Sequence, residues 1–164
     1  MPYYHDERPQ RKNHRKEETD YRQNGAFFLT ICIKERHEIL GRIQAGKMVL
    51  SEIGEQVKEI TLNIEKAYST IILDSFVVMP NHVHLLLLFV GGSKNPSTSR
   101  VIQQWKGIAT KKIGFPAWQE GYYDNILFTA EEYRRAKEYI QTNVKRWEHD
   151  QFNPKSANQQ EANP

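Results

Sequence analysis

Two apolar segments joined by a proline-asparagine turn restrict this chain more than any other feature. Residues 71–79 (IILDSFVVM) and 82–90 (HVHLLLLFV) are rich in β-branched, aromatic and leucine side chains, and Pro80-Asn81 stands between them as a turn signal. The pattern predicts two strands paired as a hairpin. Side chains alternate faces along a strand, so His82 and His84 point the same way and Leu86 and Leu88 continue their face. Val83, Leu85 and Leu87 point to the other side, into a core. The histidines are thus expected at the polar mouth of an otherwise apolar strand. Two convergent imidazoles can share one divalent cation, but a His-x-His at a strand end is often only a pair of half-exposed residues beside a turn. A third ligand, and a use for the metal, must come from elsewhere.

The remaining pattern supplies a frame for that hairpin. Residues 26–34 (AFFLTICIK) read as a strand, and 39–50, with Gly41 and Gly46 between short apolar pairs, as a small hairpin. Ser51 is a helix N-cap candidate, followed by Ile53, Val57, Ile60, Ile64 and Ala67 at helical spacing. A Gly-, Ser-, Asn- and Pro-containing loop at 91–97 leads to a second helix over 98–112, with Val101, Trp105 and Ile108 as its core face. A short edge strand at 126–128 precedes a Thr129/Glu132 capping box. The helix opened there is predicted to run to Trp147, burying Tyr133, Ala136, Ile140, Val144 and Trp147. Strand, helix, two strands, helix, strand, helix is close to the split βαβ order of ferredoxin-like folds. The expectation is an α+β domain: a ferredoxin-like, RRM-like antiparallel sheet with helices mainly on one face and the histidine pair on a central strand.

That last helix offers what the histidines lack. Arg135, Tyr139 and Asn143 recur at intervals of four, on one face at the edge of the apolar stripe. Asn143 carries a carbonyl oxygen suited to hard cations, Tyr139 a hydroxyl able to reach a cleft, and Arg135 a guanidinium able to contact phosphate. Tyrosines at such margins are commonly packing residues with a wet hydroxyl, and Tyr122 and Tyr123 rival Tyr139 as nucleophiles on spacing alone.

Composition bounds the partners. A net charge of +3 and a pI near 8.9 suit a phosphate-bearing partner without demanding one. The bias is local: between Phe89 and Trp118 there is no acidic residue, while Lys94, Arg100, Lys106, Lys111 and Lys112 all fall there. Arg100, Lys106 and Lys111 are expected on the outer surface of the second helix, tracking a phosphate backbone, with Lys112 beside them. Trp118, Tyr122 and Tyr123 are candidates for stacking on unpaired bases. The single cysteine, Cys32, excludes an internal disulfide framework and a multi-cysteine zinc site, and fits a reducing cytoplasmic location. The longest apolar run, 83–90, is too short to span a bilayer, so no membrane partner is expected. Residues 1–24 mix both charges without an apolar core and read as a flexible arm, 25–152 as the folded domain, and 153–164 as a disordered tail.

Taken together, VVMPNHVHLLL resembles the strand-turn-strand motif of the single-tyrosine HUH transposases (His, bulky hydrophobe, His), in particular the REP-associated tyrosine transposases. The resemblance extends over 25–154. GAFFLTICIKER looks like the family's first strand and STSRVIQQWKGIATKKIG like the helix after the histidine strand. WQEGYYDNILFTAEEYRRAKEYIQTNVKRWEHDQFNP looks like its C-terminal block. It places Tyr139 on the family's catalytic tyrosine and Asn143 where a polar amide completes a metal site with His82 and His84. Two departures stand out. Asn125 and Phe128 replace a usual histidine and arginine, which bears on DNA contacts, and Val144 replaces a usual proline, which is expected to let the helix continue unbroken.

The resemblance implies a metal-dependent single-stranded-DNA endonuclease and strand transferase using Mg²⁺ or Mn²⁺. Tyr139 would attack the scissile phosphate to give a 5′-phosphotyrosine and a free 3′-OH, at single-stranded or hairpin DNA of repeated extragenic palindromes. A monomer is slightly favoured over a homodimer, because the short link 125–129 suits packing of the tyrosine helix on its own sheet. Two other readings remain. One is a non-catalytic nucleic-acid-binding module on the same fold; the other is a zinc hydrolase using His82, His84 and a carboxylate. Neither accounts for the tyrosine helix.

Overall fold

The computed structural model describes residues 24–156. The arm expected at 1–24 therefore lies outside the described residues except for Asn24, as does 157–164 of the expected tail. Among the described residues the main elements follow in the order β1 (Gly25–Cys32), β2 (Gly41–Gln44), β3 (Lys47–Leu50), α1 (Glu52–Leu62), α2 (Ile64–Ala67), β4 (Ile71–Val78), β5 (His82–Phe89), α3 (Thr98–Ile113), β6 (Tyr123–Leu127) and α4 (Ala130–Thr142). A 3₁₀ segment, Val144–His149, follows α4. The main sheet has the order β4-β5-β1-β6 with every pairing antiparallel, and β2 and β3 form a separate hairpin. This is the ferredoxin-like order that the sequence predicts, and it puts the histidine strand β5 inside the sheet, between β4 and β1.

The sheet is covered on both faces, because β1 and β5 are apolar on both. Leu29, Ile31, Val83, Leu85, Leu87 and Phe89 form the larger core with Val57, Ile60 and Ile64 of α1–α2 and Val101, Ile102, Trp105 and Ala109 of α3. Burying side chains of this size stabilises the fold by about 1.5–3 kcal/mol each before entropy is counted. The opposite face carries Phe28, Leu86, Ala136 and Ile140, then Cys32, Met79, Trp147 and Phe152. The α1–α2 pair and α3 therefore pack on one face, and α4 with its 3₁₀ extension on the other.

Local signals explain the helix ends. Ser51 caps α1, accepting from the Gly54 amide at 3.0 Å. Gly54 is needed there because a Cβ would meet the Leu40 carbonyl oxygen at 2.0 Å. The Thr129/Glu132 capping box opens α4 as expected. Gly114, in the left-handed region at φ 90°, closes α3.

Several expectations are corrected. Ile108 is 53% exposed, and α3 buries Val101, Ile102, Trp105 and Ala109 instead, a face rotated by part of a turn. Ala67 is exposed because the helix kinks at Asn63 (φ −89°, ψ 1°), between α1 and α2, and the stripe ends at Ile64. The edge strand is longer than 126–128, since Ala26 to Thr30 of β1 pairs with all of β6. The last α-helix stops at Thr142 although no proline interrupts it. The chain tightens there to i→i+3 bonding, with the Arg146 amide on the Asn143 carbonyl at 3.1 Å. The folded part also reaches beyond 152: Asn153 is buried and donates to the Trp147 carbonyl at 2.9 Å.

Candidate active site

Register fixes which side chains share the histidine face. In β1, Phe28, Thr30 and Cys32 lie opposite Leu86, His84 and His82, and in β6, Asn125 and Tyr123 lie opposite Phe28 and Thr30. α4 crosses this face, and its docking is specific. The Tyr133 hydroxyl and Lys137 Nζ both donate to the Asp74 carboxylate, which sits at the irregularity between Leu73 and Ser75 in β4.

That docking brings Tyr139 and Asn143 up to the two histidines. The Nε2 atoms of His82 and His84 face each other at 3.1 Å. The Tyr139 ring stands edge-on to His84, centroids 5.3 Å apart, and edge-on to Phe28 at 5.9 Å. Asn143, one helical turn beyond Tyr139, lies close enough to His82 to favour that ring's protonated form. The Asn143 amide nitrogen donates to Asp150 Oδ2 at 3.1 Å, and its amide oxygen is buried with no hydrogen-bond partner. A buried orphan carbonyl is costly unless something binds it.

The histidines do not sit at a polar mouth, as the alternation suggests: both are fully buried. The 3₁₀ segment and residues 150–153 fold over them. The Phe152 ring lies 4.6 Å from that of His82 and the Trp147 ring 6.2 Å from it. Burial sets their charge. Desolvation holds His84 down to about 3, and desolvation, reinforced by neighbouring His84, holds His82 well below its ordinary value. Both are neutral at physiological pH, the form in which imidazole binds metal.

Two imidazole nitrogens 3.1 Å apart are spaced to bind one cation at metal–nitrogen lengths of about 2.1 Å. The orphan oxygen of Asn143 supplies a third donor. Among the described residues no cluster of three His, Cys, Asp or Glu side chains is placed to hold a metal, so the set is two imidazoles and an amide. It fits a divalent cation and suits Mn²⁺ better than Mg²⁺ on ligand softness.

The structure separates the rival tyrosines. Tyr122 turns to the other side of the sheet, where its ring joins the larger core and its hydroxyl meets Thr98 and Ser99 at 3.0 and 3.1 Å. Tyr123 is on the histidine face, and its ring lies 6.3 Å from that of Phe152, centroid to centroid. Asn125 is on the histidine face too, whereas Phe128 is 80% exposed.

The expected DNA-contacting residues are dispersed. Arg100 and Lys111 lie exposed on α3, against the face opposite the histidines. Lys106 is half-buried, its ammonium bonded to the carbonyls of Gln119 and Gly121, so it closes a loop rather than lying on the outer surface. Trp118 is 6% exposed and packs on Trp105 at 4.7 Å, which withdraws its ring from any unpaired base. Lys112 pairs with Glu59 at 2.5 Å, and Arg135 with Glu131 at 2.7 Å. The side chains that sequence reasoning misses are Thr30, Asn81 and Asp150, each bonded to one of the three candidate ligands. Thr30 is visible as the lone hydroxyl in an apolar strand. Asn81 reads as a turn residue and nothing more, and Asp150 gives no signal.

The model of the IS200-like transposases matches residues 29–143, which runs from the middle of β1 past the end of α4 and includes His82, His84, Tyr139 and Asn143. The chain belongs to the IS200-like transposase family. A Haemophilus influenzae protein of uncharacterized function is 30% identical, covering 87% of this chain and 92% of that one. Among solved structures, a REP-associated tyrosine transposase bound to a REP hairpin shares the fold with a TM-score of 0.62 at 17% identity, over 76% of this chain and 68% of that one. A Deinococcus radiodurans R1 protein assigned as a transposase superposes with a TM-score of 0.50 at 20% identity, over 77% of this chain and 96% of that one. No helix among the described residues of this transposase is long and apolar enough to cross a membrane.

Proposed function

We propose that this transposase cleaves and rejoins single-stranded DNA through a covalent 5′-phosphotyrosine on Tyr139, with His82, His84 and Asn143 holding a divalent cation. The observation that carries the reading is the convergence of two neutral imidazoles, an orphaned buried amide oxygen and the Tyr139 ring at one place on the sheet.

A phenol with an ordinary pKa near 10 is a weak nucleophile at neutral pH, and a phosphodiester repels anions. Bound by the three donors, a divalent cation would draw charge from a phosphate oxygen and stabilise the transition state. The chain's own contribution is positioning. Phe28 and His84 hold the Tyr139 ring edge-on, and the Asp74 contacts hold the helix. Attack by the Tyr139 oxygen, which gives up its phenol proton to solvent, forms a phosphorus–oxygen bond and breaks the one to the 3′ oxygen, which takes up a proton from solvent and leaves as a hydroxyl, with no net proton change. The exchange conserves one phosphodiester bond, so another 3′-OH can reverse it without ATP.

Arg100 and Lys111, exposed on α3 across the sheet from the histidines, fit phosphate contacts with a part of the hairpin away from the scissile phosphate, and Tyr123, on the histidine face, fits a base contact nearer to it. The solved relative bound to a REP hairpin supports a hairpin as substrate. α4 packs on its own sheet here, which supports an active site completed within one chain.

The test is a labelled hairpin oligonucleotide with Mn²⁺. Wild-type protein should form an adduct that survives denaturing electrophoresis, and Tyr139→Phe should form none while still binding the DNA. An adduct in Tyr139→Phe would move the nucleophile to Tyr123.

A further inference from the structure

Each of the three candidate ligands is gripped from behind by one buried polar side chain. We propose that Asn81, Thr30 and Asp150 are positioning residues for His82, His84 and Asn143, and that Asn81 fixes the His82 tautomer while Thr30 lets that of His84 change. The inference rests on the reading that these three ligands take up a cation.

Asn81 is fully buried, and its amide can sit only one way round. Its Nδ2 donates to the backbone carbonyls of Phe152 at 2.7 Å and Arg36 at 3.1 Å. The opposite orientation would set its oxygen against two carbonyl oxygens. Its Oδ1 therefore faces His82 Nδ1 at 2.8 Å, and an amide oxygen only accepts. His82 must carry its proton on Nδ1, which leaves a lone pair on Nε2.

That lone pair constrains His84. With Nε2 atoms 3.1 Å apart on two fully buried rings, two facing lone pairs would repel, so in the metal-free protein His84 carries its proton on Nε2 and donates to His82. His84 Nδ1 is then the acceptor, and the Thr30 hydroxyl at 2.8 Å is its donor. To bind a cation through Nε2, His84 must carry its proton on Nδ1 instead. The imidazole is neutral in both forms: the proton on Nε2 is lost and one is gained on Nδ1, with no net change. A hydroxyl can rotate from donor to acceptor and serve both tautomers, which neither a carbonyl nor an ammonium can do.

Asp150 completes the set. One carboxylate oxygen accepts from the Phe152 amide at 2.8 Å and the other from Asn143 Nδ2 at 3.1 Å. A carboxylate rejects an amide oxygen, so Asp150 turns the Asn143 oxygen away from itself and leaves it as the buried orphan. Residues behind metal ligands commonly matter by 10–100-fold in affinity.

The experiment uses the full chain with ¹⁵N-labelled histidine, followed by ring-nitrogen NMR, and Mn²⁺ titration by calorimetry. Metal-free wild type should show His82 protonated on Nδ1 and His84 on Nε2, and Zn²⁺, a diamagnetic probe, should move His84 to the Nδ1–H form. Asn81→Ala, Thr30→Val and Asp150→Ala should each weaken Mn²⁺ binding about 10–100-fold. Thr30→Ser, which keeps the hydroxyl, should restore binding and the His84 switch even if its melting temperature falls. A metal-free His82 protonated on Nε2, or variants that bind Mn²⁺ as well as a binding wild type, would overturn the inference alone. A wild type that takes up no Mn²⁺ would overturn the metal reading, and the positioning role with it. Should a variant fail to fold, the wild-type tautomer pattern still decides.

Discussion

The Tyr133 hydroxyl donates to the Asp74 carboxylate, and this bond ties the helix that carries Tyr139 to an edge strand of its own sheet. Lys137 joins the same carboxylate at 3.2 Å. Removing the acceptor strands a partly buried phenol, so Asp74→Ala should cost about 1–3 kcal/mol in chemical denaturation. The bond also sets a pH dependence. Burial and the Asp74 contact push Tyr133 up to about 12. A raised pKa stabilises the fold fully below the unfolded value near 10, and that stability drains away as pH climbs from there towards 12. At the acid end, burial raises Asp74, but the bonds from Tyr133, Lys137 and Ser75 outweigh it and leave the carboxyl below its ordinary 3.8. Its contribution is lost as pH falls below that value. Tyr133→Phe should flatten the alkaline limb of stability against pH; an unchanged limb would remove Tyr133 from this role.

His84→Gln and Asn143→Ala should separate metal uptake from DNA binding. Neither side chain lies on α3, so hairpin affinity measured without metal should hold within about twofold. Mn²⁺ affinity should fall by at least the 10–100-fold typical of residues merely supporting a ligand. Chelation by EDTA should abolish nicking by wild type. Nicking that survives chelation would remove the metal from the mechanism.

Period is the part of the site that the sequence makes legible. The alternation in 82–90 places both imidazoles on one face, and the spacing of Tyr139 and Asn143 places them one turn apart. Burial is not legible, because it depends on a segment sixty-odd residues away folding back. Nothing in 144–153 announces that Val144–His149 tightens into a 3₁₀ turn and brings Phe152 over His82. Trp118 fails as a stacking candidate for a similar reason: an aromatic in a loop reads as exposed until a partner, Trp105, is seen to bury it. Lys106 fails because its position on α3 fixes a direction but not the two loop carbonyls that capture its ammonium.

The α3 surface makes a prediction that separates Arg100 and Lys111 from Lys106. The first two are exposed and expected to face phosphates, so Arg100→Glu with Lys111→Glu should weaken binding of single-stranded DNA. Each lost phosphate contact should reduce the slope of log affinity against log salt by about 0.7. Lys106→Met should leave that slope unchanged. It should instead loosen the loop of Gln119 and Gly121, which limited proteolysis would detect. Equal salt slopes for wild type and the double variant would exclude α3 from the interface.

The cover over the histidines makes the last. Phe152 packs on His82 and reaches His84, while Arg36 lies over its ring at 5.5 Å from the centroid and donates to the Gln151 carbonyl at 2.9 Å. A scissile phosphate must reach His82, His84 and Tyr139, and in this conformation the rings of both histidines are fully buried. Under the proposed mechanism, the cover opens before cleavage. Phe152→Ala removes the ring but keeps the backbone carbonyl that Asn81 binds, so the support of His82 survives. Truncating a buried phenylalanine costs about 3–5 kcal/mol, and the melting temperature should fall accordingly. Diethylpyrocarbonate should then modify His82 and His84 several-fold faster than in wild type, read by mass spectrometry of peptides. Slow modification of both proteins alike would show that Phe152 does not control access, and would shift attention to Trp147, the other ring against His82.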